Sequence, residues 1–110
     1  MKRPLPVTII GWLFIIAGAI GFLYHIAEVD MQDPFADDAV WILVIRLIAV
    51  LGGILLLRGV NAGRWIIIAW MTYHVILGFL HPPQSLAMHA LLLIVLALTL
   101  FNARVNTYFR

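Results

Sequence analysis

The sequence predicts an all-α membrane protein, an up-down bundle of four transmembrane helices with both termini inside. Three observations carry this. The 110-residue chain is 65% hydrophobic and only 11% charged, against about 25% charged residues in soluble domains. Its mean hydropathy is +1.08. Four apolar runs, at about 6–27, 39–57, 65–80 and 86–103, are separated by short polar breaks. The charges are also segregated. Lys2, Arg3, Arg58, Arg64, Arg104 and Arg110 flank one set of run ends, whereas Glu28, Asp30, Asp33, Asp37 and Asp38 crowd the opposite side.

The first run follows Lys2 and Arg3, as the apolar core of a signal peptide would. Its length and the poor cleavage context Tyr24-His25-Ile26-Ala27 favour a retained span. The acidic segment with Pro34 ends it. Gly59, Asn61 and Gly63, set between Arg58 and Arg64, break the second run from the third, and Pro82-Pro83 with Gln84 and Ser85 break the third from the fourth. The third run is the shortest, so it is expected to stand nearly upright. Connections this short make sequential helices antiparallel. All 110 residues form one transmembrane domain, and no internal repeat aligns.

Positive residues favour the cytoplasmic side of a bilayer, which places both termini there and predicts a multi-pass protein of the bacterial inner membrane. Tyr24 and Trp41 then fall near the outer interface, and Trp65, Tyr108 and Phe109 near the inner one. The pI near 9.5 does not indicate nucleic acid, because the basic residues stand singly at helix ends with no stripe. Absence of cysteine excludes disulfides and thiolate metal sites.

Helices in lipid associate by close packing, so small residues at helical spacing mark the contacting faces. Gly11, Gly18 and His25, interleaved with Phe14, Gly21 and Glu28, make one such face. Arg46, Ala49 and Gly53 make the second. Trp70, His74, Gly78 and His81 form the third, and Ser85, His89, Leu92, Leu96 and Thr99 the fourth.

Two groups of polar residues then call for partners. Arg46 lies about seven residues, or roughly 10 Å, below the outer end of its helix, where facing lipid costs several kcal/mol. It either snorkels outward or meets an anion or acceptor inside: Glu28, a ligand carboxylate or propionate, or a quinone carbonyl. His25, His74, His81 and His89, with Glu28, all belong to the outer half. Neutral imidazole ligates zinc, copper or haem iron. A transition-metal site from His25, Glu28, His74, His81 and His89 is one reading, and hydrogen-bonded interfacial histidines are the other. A bis-histidine haem fits His25 with His89 best by depth, whereas a bacteriochlorophyll needs one ligand, for which His74 is deepest. Cofactor contacts are thus assigned to His74, His25, His89 and Arg46. Ser85, near His81 and His89, lacks a base-and-orienter arrangement and instead suits a cap before Leu86.

The stretches RPLPVTIIGWLFIIAGAIGFLYH, RLIAVLGGILLLRGVNAGRWIIIAWMTYHVIL and ALLLIVLALTLFNARVNTYFR resemble a group of small four-helix bacterial integral membrane proteins with no assigned activity. The resemblance implies the fold and lends no site residue. The function expected from the residues is that of a non-catalytic accessory or structural subunit. It would pack against other membrane subunits or itself in the lipid bilayer, with Trp12, Trp70 and Phe79 toward the partner. The outer histidines would then meet a pigment, haem or quinone. The alternatives are an independent histidine-based metal or haem redox protein, and a small dimeric transporter or channel with Arg46 on an anion path.

Overall fold

In the computed structural model, residues 2–29, 32–33, 38–80 and 83–110 are described, and every regular element among them is helical. The order is α1 (Leu5–Ile26), α2 (Ala39–Leu57), α3 (Asn61–Gly78), α4 (Pro83–Leu100) and the single turn α5 (Ala103–Asn106). Pro6, in the first turn of α1, has its ring-fixed φ where no intrahelical N–H bond is due. At the far end of α2, Gly59 adopts φ +72°. Its N–H bonds to the Leu56 carbonyl and that of Val60 to the Leu55 carbonyl, a Schellman arrangement that stops the helix and turns the chain into α3.

Sequential helices run antiparallel and touch through glycine. A Cβ at Gly53 would stand 2.6 Å from the Gly11 carbonyl oxygen, and one at Gly18 would stand 2.8 Å from the Arg46 carbonyl oxygen. The backbones of α1 and α2 therefore meet with nothing between them. Gly63 opens α3 to the Leu55–Leu56 backbone, and Gly78 admits Leu86 of α4. In contrast, α1 and α4 close only weakly on one another among the described residues. They meet through a core of Val7, Ile10, Leu56, Ile67, Leu96, Leu100, Val105 and Phe109 gathered at one end of the molecule. This end, which also carries Lys2, Arg3, Arg58, Arg104 and Arg110, is called the basic pole; the other is the histidine pole.

Several element limits differ from the sequence reading. α3 starts at Asn61, four residues before the apolar run at 65, because Asn61, Gly63 and Arg64 are helical and packed. α4 stops at Leu100, where 103 was expected, and Asn102 then caps α5 by accepting from the Arg104 N–H at 2.9 Å. Ser85 lies within the first turn of α4, not ahead of it. Phe109, expected as an interface anchor, is only 8% exposed and turns inward. By length and composition, α1 and α2 are each apolar enough to cross a membrane. α3 spends its first turn on polar and small residues, and the apolar part of α4 begins only at Leu86.

Candidate ligand-binding site

Between α1 and α4, where the basic-pole core ends, the helices part and leave a cavity of about 350 Å³. Ile10, Leu13, Phe14, Ala17 and Gly18 form one wall; Leu92, Val95 and Leu96 form the other. Ala49, Trp70, Met71 and Arg46 form the floor. The tight α1–α2 and α2–α3 contacts hold that floor rigid. Its single charged group is Arg46.

Arg46 leans along α1. Its Cδ and Nε lie where a Cβ on Gly21 would fall, each 2.8 Å from that position, so Gly21 is the notch that admits the side chain. The Nε is buried and has no hydrogen-bond partner. Glu28, one of the partners the sequence offers Arg46, has a contact of its own: its Oε2 lies 3.0 Å from Nδ1 of His25. Trp70 is fixed beside the cavity by donating its indole N–H to the Ile45 carbonyl at 2.9 Å, and its ring meets Phe14 edge-on at 5.4 Å. The half-buried ring turns toward the cavity, because its indole N–H finds its acceptor on α2. Trp12 and Phe79 are exposed.

His74 stands one turn above Trp70. Its Nδ1 lies 2.9 Å from the Trp70 carbonyl oxygen. A carbonyl only accepts, so Nδ1 carries the proton and the lone pair of the neutral ring is on Nε2. The His74 ring lies 5.6 Å from that of His89 and 3.9 Å from that of Trp70. Nearby, Trp41 donates to the Tyr73 hydroxyl at 2.8 Å.

The described histidines thus fall in two places, His25 near the end of α1 with Glu28 just beyond that helix, and His74 with His89 across α3 and α4. Among the described residues no three of His, Asp or Glu converge as a metal site. His81 lies outside the described residues. The imidazole facing His89 is that of His74 rather than His25, because α4 packs on α3 and parts from α1.

The sequence reading missed a buried arginine. Arg64, taken there only as a topology signal, is 6% exposed. Its Nε donates to Asn61 Oδ1 at 2.9 Å, with Nη2 on the same oxygen, and Nη1 donates to Asn106 Oδ1 at 2.7 Å and to the Leu100 carbonyl at 3.1 Å. The rings of Phe101 and Phe109 lie 4.6 and 4.5 Å from its Cζ. Arg110 N bonds to the Gly59 carbonyl and Asn61 N to the Arg110 carbonyl, both at 2.8 Å. Together these tie the tail across the pole. The three asparagines near the basic run ends were the available signal, since a buried guanidinium needs side-chain acceptors.

Compared with protein-family models, with curated proteins and with solved structures, the chain finds no match.

Proposed function

We propose that this chain is a non-catalytic integral membrane protein of the bacterial cytoplasmic membrane. In this reading it crosses four times, holds both termini in the cytoplasm, and serves as an accessory or structural subunit of a larger membrane assembly. The observation that carries the reading is the direction in which the apolar side chains point. Only 28% of the apolar window of α1 and 22% of that of α2 is buried, whereas the core helix of a soluble protein would be mostly covered. Leu13, Ile16, Ile20 and Leu23 on α1, Leu47 and Leu51 on α2, Ile76 on α3, and Leu91, Ile94 and Leu98 on α4 are all exposed. An apolar belt carried by all four helices suits acyl chains or an apolar partner. The basic pole supplies the orientation, with Glu28, Asp33 and Asp38 at the opposite pole.

Resistance to carbonate extraction, followed by mild solubilisation and identification of co-purifying chains, tests this. A stoichiometric membrane partner is expected; release by carbonate contradicts the membrane reading, and a monodisperse lone chain contradicts the subunit reading.

A second reading, an independent histidine-based haem or metal protein, is favoured by the His74–His89 pair and the lone pair on His74 Nε2. A Soret band or bound copper or zinc that disappears in His74→Ala would select it.

A further inference from the structure

We propose that the α1–α4 cavity is a binding site for a long-chain carboxylate, a fatty-acid anion whose head group meets Arg46 and whose chain lies along the groove toward Ile10 and Leu96. This rests on the reading that the groove lies within the bilayer.

The walls set the class of ligand. Ile10, Leu13, Phe14 and Ala17 face Leu92, Val95 and Leu96, with no polar side chain but Arg46 among the lining residues. From Ile10 to Gly18 is eight residues, roughly 12 Å at 1.5 Å per residue. The volume of about 350 Å³ lies near the lower end of the roughly 300–1,000 Å³ of ligand sites, which suits one chain better than two. A phospholipid has a chain too many for it.

Charge then selects the head group. Arg46 has a buried Nε with no hydrogen-bond partner, and the Glu28 carboxylate is engaged by His25. A guanidinium fork matches a carboxylate with two parallel bonds and an opposite charge, whereas a quinone carbonyl offers one neutral acceptor oxygen. Gly21 and the α1–α2 contact hold the Arg46 side chain against α1, so the fork is positioned before a ligand arrives. The site therefore joins an apolar slot to an unsatisfied cation at its end nearer the histidine pole.

The test uses the purified full chain in detergent with Trp12, Trp41 and Trp65 replaced by Phe, leaving Trp70 as the reporter beside the cavity. Quenching by 9,10-dibromostearate is compared with that by the corresponding alcohol and by a brominated phosphatidylglycerol. Half-quenching by the acid is expected at a concentration at least tenfold below that of the alcohol. In Arg46→Gln that difference should fall below twofold, and Ala17→Phe, which fills the slot, should weaken both probes at least fivefold. Equal quenching by acid and alcohol, a difference that survives Arg46→Gln, or stronger quenching by the phosphatidylglycerol overturns the proposal. Calorimetry of stearate against stearyl alcohol on the unsubstituted chain gives the same comparison should the reporter variant not fold. Binding in detergent requires neither four crossings nor a partner, so failure here is distinct from failure of the carbonate test.

Discussion

Two arginines are drawn inside this small bundle, and their surroundings differ in kind. Arg64, at the basic pole, spends its donors on two asparagine side chains and a backbone carbonyl and lies between two phenyl rings. Arg46, toward the histidine pole, faces an apolar cavity with its Nε unmet. A charge whose surroundings have been built to satisfy it is part of the fold. One left short in a slot lined by apolar residues is poised for something that arrives later. The packing follows the same division: α1 and α4 share a core near Arg64 and part beside Arg46.

The largest effect that would separate the two arginines is on stability. Arg64→Met orphans the buried Leu100 carbonyl, at about 1–3 kcal/mol, and removes the contacts with the Phe101 and Phe109 rings, at about 0.5–1 kcal/mol each, so it should cost about 3 kcal/mol in reversible unfolding in mixed micelles. A cost below about 1 kcal/mol would mean that the polar pole is not organised by this side chain. Next is Gly53→Val. Its Cβ would press on the Gly11 carbonyl, forcing α1 from α2 at about 2–3 kcal/mol, and the Trp70 emission should shift as the cavity floor moves.

Gly59→Ala is expected to cost about 1–2 kcal/mol, since φ +72° strains any residue with a Cβ. The loss should concentrate in hydrogen-exchange protection of the tail that bonds to this turn. The smallest effect is assigned to Arg46→Met. Removing an unsatisfied charge from an apolar wall is neutral or stabilising, so its unfolding midpoint should match or exceed that of the unsubstituted chain. A loss comparable to that of Arg64→Met would erase the distinction between the two.

The helices were legible because each is an apolar run between breaks whose chemistry is local: Gly59 for the Schellman turn and Pro83 at the start of α4. α2 coincides with its run, and α1 differs from its run by one residue at each end. The start of α3 was not legible, because Asn61, Gly63 and Arg64 read as a turn until a folded tail supplies their partners. Depth along a helix is a matter of counting, so Arg46 could be placed roughly 10 Å below the outer end of its helix and His74 deepest among the histidines. Which histidines meet depends on how helices are arranged around the axis, and periodicity does not report that. The parting of α1 from α4 leaves His25 with Glu28 and gives His89 to His74. The cavity was hidden for the same reason, since Phe14, Arg46, Trp70 and Leu92 converge only when four separate faces are assembled.

The contrast between the poles has its proposed meaning only if they lie on opposite sides of a membrane, and the chain, having no cysteine, suits a direct measurement. Gln84→Cys, in the first turn of α4 at the histidine pole, and Thr107→Cys, in the tail at the basic pole, would each be exposed in intact cells to a membrane-impermeant maleimide. Labelling of the cysteine at position 84 from outside, with that at position 107 reached only after lysis, is the predicted result. Equal labelling of both in intact cells, or of position 107 alone, would contradict it.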